Sequence, residues 1–160
     1  MHIRRARAED LPEILRMLFE DRATPSDEAD PGARCYADAF QEMQRSEGNG
    51  TYVAEAEGRI VGTFMLTFIR HLMRRGGLVA QLEAVRVDAS CRSRGYGAGM
   101  MRWAIEEARR RRCSRMQLTT NKSRKDAHRF YERLGFRATH EGMKLALDEL
   151  VSSPTVIGAG

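Results

Sequence analysis

The stretch Arg92-Ser93-Arg94-Gly95-Tyr96-Gly97-Ala98-Gly99 has the residue types and spacing to hold a phosphate. Glycines let a backbone approach an anion closely, and the arginines add charge. The run before it, Leu82-Glu83-Ala84-Val85-Arg86-Val87, is strand-like. The run after it, Met100 to Arg112, repeats apolar residues at helical spacing. A strand, a tight glycine turn and a helix start gather free N–H groups and the positive end of a helix dipole around an anion. The residues alone therefore imply a phosphate-bearing ligand.

The elements that position this loop follow from periodicity and turn residues. His2 to Ala6 reads as a first strand. Asp10 is placed to cap a helix from Leu11 to about Glu20, with Pro12 in its first turn. Residues 21 to 32 hold Pro25, Pro31, Gly32 and several acidic side chains, and read as a loop. A second helix covers Ala33 to Arg45, with Tyr36, Ala39, Phe40 and Met43 on one face. Thr51 to Ala56 and Ile60 to Ile69 flank a Glu57-Gly58 turn, a hairpin signal. Leu78 to Val87 is the next strand, followed by the glycine loop and a helix to Arg112. Met116 to Thr120 reads as a short strand. Ser123-x-x-Asp126 reads as a capping box for a helix that Gly135 ends. Phe136 to His140 and Met143 to Leu147 read as a closing hairpin. The expected fold is α/β (α+β): a mixed, mostly antiparallel sheet of about seven strands with helices on both faces.

With 160 residues the chain is expected to form one domain over 1–150, with 151–160 as a flexible tail. Apolar content of 42% and charged content of 31% are those of a globular protein. No run is long enough for a membrane span, and no leader-like segment opens the chain. Three widely spaced cysteines, Cys35, Cys91 and Cys113, suit a reducing compartment. The expected location is cytoplasmic, with no metal site and no membrane partner. The net charge of +5 is concentrated at 70–75, 92–94, 109–112 and 122–125. Apart from Tyr96 these clusters lack the aromatic interleaving that stacks on bases, so nucleic acid is disfavoured as a partner.

Three phosphate-loop patterns compete for the glycine stretch. A P-loop requires GxxxxGK[ST], which is absent, and a Rossmann fingerprint requires GxGxxG early in a βαβ unit. Gly95-x-Gly97-x-Gly99 has a different third spacing. The pattern R/Q-x-x-G-x-G/A is met by Arg92-x-x-Gly95-x-Gly97. With the Val85-Arg86-Val87 strand end and Asp126-Ala127-His128-Arg129-Phe130-Tyr131-Glu132-Arg133-Leu134-Gly135-Phe136, the chain resembles the GNAT superfamily of acyl-CoA-dependent N-acyltransferases. Its segment from Leu118 also resembles aminoalkylphosphonate N-acetyltransferases within that superfamily.

The resemblance implies an enzyme that carries acetyl from acetyl-CoA, its cosubstrate, directly to a primary amine, most readily that of a small molecule. It implies a splay between strands 4 and 5, where backbone groups of Val85 and Val87 pair with pantetheine. It implies an acyl-CoA pyrophosphate at the N–H groups of Arg94, Gly95, Tyr96, Gly97, Ala98 and Gly99, charge from Arg92 and Arg94 toward the pyrophosphate or the ribose phosphate, and an Asn121 that contacts the pantetheine or the acceptor or orients a water. Tyr131 stands where the family often places the proton donor to the sulfur. Glu83 is the expected base, taking the amine's proton or holding a cationic acceptor. An asparagine often found seven residues before the tyrosine is Arg124 here. His71, in a basic turn, and Cys91, beside the loop, are weaker candidates. His128 is not expected to act. Peptide N-acetylation, with the acidic 21–32 loop meeting a cationic chain, and a non-catalytic regulator are the alternatives. Many relatives dimerise, so a homodimer is compatible.

Overall fold

The computed structural model describes residues 1–20, 32, 34–145 and 147. Five strands form one sheet in the order β1 (His2–Arg5), β2 (Asn49–Ala56), β3 (Arg59–Arg70), β4 (Leu78–Val87), β5 (Cys113–Leu118). The first three neighbour pairs are antiparallel, and β4–β5 is parallel. The β2–β3 turn is Glu57-Gly58, both with positive φ, which is the twist a two-residue hairpin requires.

Helices α1 (Leu11–Phe19) and α2 (Arg34–Arg45) cover one face of the sheet. Ile14 and Phe40 pack there on Val53 and Ala6. Helix α4 (Tyr96–Arg110) covers the other face, where Met100, Met101 and Ala104 pack on Ala54, Phe64, Leu66 and Leu82. Tyr52, Phe64 and Trp103 close this core with ring centroids 5.1 to 5.9 Å apart. A one-turn helix, α3 (Met73–Gly76), joins β3 to β4, and α5 (Lys125–Arg133) follows β5.

Four expectations are corrected. The described sheet has five strands rather than seven, because residues 136–145 form no strand. The alternation Met143, Leu145, Leu147 makes a strand only when its apolar side meets a packing layer, and these side chains are 97%, 73% and 65% exposed. Strand β5 starts at Cys113 rather than Met116. The reason is that α4 ends at Arg110, Arg112 turns the chain with φ 56°, and pairing begins at Leu78–Cys113. Asp10 does not cap α1. Its carboxylate accepts from the Arg7 N–H at 2.7 Å and from Arg4, which also binds Glu55. The Ser123-x-x-Asp126 box does not form, since Ser123 bonds back to Asn121 and Asp126 pairs with Arg129. The loop expected over 21–32, apart from Gly32, and the tail over 151–160 lie outside the described residues.

Candidate active site at the β4–β5 opening

Strands β4 and β5 pair only from Leu78–Cys113 to Leu82–Leu118. Beyond that level β4 continues to Val87, held by β3 alone among the described elements. The edge of Glu83–Val87 that faces β5 therefore keeps backbone donors and acceptors without a strand partner.

A bulge sits where the strands part. Met65 pairs with Glu83 and Thr63 with Arg86, so β4 carries one residue more than β3. Ala84 absorbs it with φ 52°. The extra residue resets the alternation of faces. Leu82 packs on the α4 face, and so do Val85 and Val87, whereas Glu83 projects from the face that α1 and α2 share. The apolar spacing 82, 85, 87 carries this signal in the sequence, a step of three followed by a step of two.

The glycine loop closes the opening on the α4 side. Ser93 and Gly95 have φ of 63° and 82°, and Gly95 is the N-cap of α4. The first intrahelical bond runs from Gly99 N–H to Gly95 C=O at 3.0 Å. The N–H groups of Tyr96, Gly97 and Ala98 precede it and lack helical acceptors. Gly97 has no positive φ, and a Cβ there would make ordinary contacts, 3.4 Å from Val87 Cγ2 and 3.7 Å from Phe130 Cζ. The helix start, the end of β4 and α5 thus converge on this residue.

The loop is anchored from below. Asp88, 6% exposed, accepts from Ser90 N–H at 2.9 Å, from the Ser90 hydroxyl and from Arg16 of α1. The Ser90 and Arg16 hydrogen bonds outweigh burial and hold its carboxyl at about 2, against an ordinary 3.8. The next anchor is Cys91, whose sulfur accepts from Arg59 Nη2 at 3.0 Å and is fully buried, out of reach of solvent reagents.

Asp88→Asn is expected to cost about 1–3 kcal/mol of stability, since a buried charge-assisted network loses its anion. In the wild type this contribution is full above the unfolded value near 3.8 and is lost as pH falls through about 2. Urea midpoints at pH 6 and pH 2 should show a smaller pH dependence in the Asn variant. Sequence reading missed this residue, although Asp-x-Ser is an Asx-turn signal.

Helix α5 ends in a Schellman motif built from Leu134-Gly135-Phe136. Phe136 N–H bonds to Tyr131 C=O at 3.1 Å and Gly135 N–H to Glu132 C=O at 2.9 Å, with Gly135 at φ 92°. The accompanying apolar contact is Phe136 against the Tyr131 ring, centroids 5.8 Å apart. Phe130 packs on the other side at 5.2 Å. Tyr131 is thereby fixed on the α4 side of the opening, half-buried in the same core as Val85 and Val87. Burial pushes its phenol up, and the charges of Arg124 and Arg86 pull only weakly the other way.

The remaining candidates take these places. Glu83 is exposed and accepts from Gln81 Nε2 at 3.3 Å. Arg94 reaches Glu57 at 2.7 Å and lies over the Tyr96 ring, while Arg92 is exposed. Asn121 falls three residues past the end of β5. Its carboxamide oxygen accepts from Ser123 N–H and hydroxyl at 2.9 and 2.8 Å, a turn that spends this oxygen. Next to it, Thr120 Oγ1 is buried without a hydrogen-bond partner among the described residues, a group sequence reading did not single out. His128 Nε2 lies 3.1 Å from Asn121 O and closes the same turn. His71 Nε2, in the β3–β4 turn, is buried without a hydrogen-bond partner among the described residues. Among the described residues no group of His, Cys, Asp or Glu is arranged for a metal, and no helix is long and apolar enough to cross a membrane.

Parted parallel strands, a helix start ready for an anion and a fixed tyrosine make the architecture of an N-acetyltransferase. The chain belongs to the acetyltransferase (GNAT) family, whose model matches residues 11–136. It is 33% identical over 88 residues to aminoalkylphosphonate N-acetyltransferase of Salmonella typhimurium, a match that covers 55% of this chain and only 56% of that protein. It is 34% identical over 108 residues to glucosamine 6-phosphate N-acetyltransferase of Trypanosoma brucei brucei, covering 66% of this chain and 71% of the relative. Among solved structures it is similar to a transcriptional regulator from Bacillus halodurans, with 38% identity, a TM-score of 0.86, and coverage of 91% of this chain and 99% of that one.

Proposed function

We propose that the protein transfers acetyl from acetyl-CoA to the primary amine of a small molecule, in the cytoplasm. The observation that carries this reading is the β4–β5 opening closed by the start of α4. In it the pantetheine lies as an added strand along the free edge of Val85 and Val87. The pyrophosphate sits at the N–H groups of Gly95, Tyr96, Gly97 and Ala98, with Gly99 committed to the helix. Arg92 and Arg94 add charge, and Arg94 can leave Glu57 at little cost because that pair is exposed. Asn121 meets the pantetheine through its NH2, the half of its amide that the turn leaves over.

The chemistry follows from the two faces. The thioester arrives from the α4 side, where Tyr131 stands, and the amine rests on the opposite side, where Glu83 stands. The amine nitrogen attacks the acetyl carbon, and a backbone N–H at the bulge polarises the carbonyl. The C–N bond forms and the C–S bond breaks. Tyr131 gives its proton to the departing thiolate, and Glu83 accepts the ammonium proton directly or through water. Solvent returns the proton from Glu83 to Tyr131. The relatives that act on aminoalkylphosphonate and glucosamine 6-phosphate support a small-molecule acceptor.

The test is acetyl-CoA binding by calorimetry, followed by thiol release against a panel of amines and N-terminal peptides. Absence of binding overturns the reading, and turnover confined to peptides replaces its acceptor. The regulator from Bacillus halodurans favours a second reading, in which the chain also meets nucleic acid through exposed Arg112 and Arg115. Salt-dependent DNA binding is its signature.

A further inference from the structure

A row of uncharged polar side chains crosses the sheet on the face that carries Glu83. Asn49 of β2 pairs with Thr67 of β3, Thr67 with Gln81 of β4, and Gln81 with Gln117 of β5. Each of four strands contributes one such residue at the same level, a row about 14 Å long at ordinary strand spacing. Thr67 Oγ1 donates to Asn49 Oδ1 at 3.2 Å, and Gln117 Nε2 donates to Gln81 Oε1 at 2.8 Å. Gln81 Nε2 donates in turn to Glu83.

Among the described residues this part of the face is less covered than the part under α1 and α2. Val53 and Thr63, on the same face nearer α1 and α2, are 0% and 1% exposed. Asn49, Thr67, Gln81 and Gln117 are only half-buried, although β3 and β4 are interior strands. Four hydroxyl and amide groups here add nothing to an apolar core. After their mutual bonds, Asn49 keeps its NH2 donors, and Thr67 and Gln117 keep acceptor lone pairs.

We propose that this row is the acceptor subsite, and that it selects amines whose body carries hydroxyl or amide groups. The inference rests on the acetyltransferase reading and names its substrate class. An amine lying along the row brings its nitrogen to Glu83, at the bulge where the strands part and the thioester arrives from the other face. Gln81 is a positioning residue: it joins the row to Glu83 and occupies one carboxylate oxygen, leaving the other for the amine. None of the four side chains is charged, and Arg5 meets the row only at the Asn49 backbone carbonyl, 2.8 Å away, so the row reads neutral polar groups rather than an anion.

D-glucosamine and cyclohexylamine, two primary ring amines that differ in hydroxyls, are the probes. Wild-type kcat/KM is expected to favour glucosamine by about 30-fold or more, the effect of two or three neutral hydrogen bonds. Thr67→Val and Gln117→Leu should each raise the glucosamine KM about tenfold. They should leave the KM values of cyclohexylamine and acetyl-CoA unchanged, and Thr67→Ser should retain the preference. Gln81→Leu should lower kcat on both amines without changing the acetyl-CoA KM. Equal kcat/KM for the two amines, or turnover of neither, in protein that binds acetyl-CoA overturns the proposal and leaves the donor site standing. Loss of acetyl-CoA affinity in the row variants overturns it as well, because the row then only supports the fold. Where a variant fails to fold, the wild-type ratio decides. A wild type that does not bind acetyl-CoA removes the acetyltransferase reading itself.

Discussion

Gly97→Glu is expected to abolish acetyl-CoA binding while leaving the fold intact. A Cβ at this position makes ordinary contacts with Val87 and Phe130, so the substitution begins without a clash. Gly97 is the second residue of α4. An acid there favours the helix dipole by roughly 0.3–1 kcal/mol, and loss of a helical glycine adds up to about 1 kcal/mol. Stability should hold or rise. Binding should fall because a carboxylate then stands where the pyrophosphate meets the Tyr96, Gly97 and Ala98 N–H groups. Two like charges about 4 Å apart near a protein surface repel by about 4 kcal/mol. A rise in Kd of at least about 100-fold, near 2.7 kcal/mol, is the expected calorimetric result. Gly97→Ala separates bulk from charge and should bind nearly as the wild type does. Wild-type affinity in the glutamate variant would move the pyrophosphate away from this helix start.

Tyr131→Phe is expected to lower kcat about 100-fold, the usual share of a positioned acid, without weakening acetyl-CoA. The ring contacts to Phe130 and Phe136 and the Schellman bonds do not involve the hydroxyl. Melting temperature should therefore be unchanged at neutral pH, which distinguishes a chemical loss from a structural one. The pH behaviour has a definite sign. Burial raises this phenol above its ordinary value of 10, so it remains a proton donor at any physiological pH. In the unfolded chain the phenol ionises first. Its contribution to stability is full below pH 10 and is lost as pH rises through the native value. The phenylalanine variant should lack that alkaline loss, and a variant with full kcat would exclude Tyr131 as the acid.

The legible parts of this protein were those with local causes. Glu57-Gly58 demands a hairpin, and Gly95 and Gly135 demand left-handed backbone at the two ends of the site. All three stand as their residue types require. Arg92-x-x-Gly95-x-Gly97 and the Phe130 to Phe136 segment lie at one opening, though nothing in their sequence separation brings them together. What periodicity misread was decided by tertiary contacts. Asp10 has the residue type of a helix cap, yet the Arg4 guanidinium of β1, itself paired with Glu55 of β2, takes its charge. Met143, Leu145 and Leu147 alternate like a strand, but alternation does not supply the layer to pack on. The polar row was invisible because its members come from four strands and meet only through register.

The bulge at Ala84 gives β4 a reading frame. Side chains along the strand can change singly, and each change stays local. Length cannot. Removing one residue near position 84 would carry Val85 and Val87 to the face of Glu83 and turn Arg86 inward against Leu82's neighbours. Adding one would do the same in the other sense. The strand that separates thiolate from amine is therefore free to drift in chemistry and frozen in count. An acceptor face under this constraint can be rewritten for new amines by substitution alone, while the donor side keeps its phase.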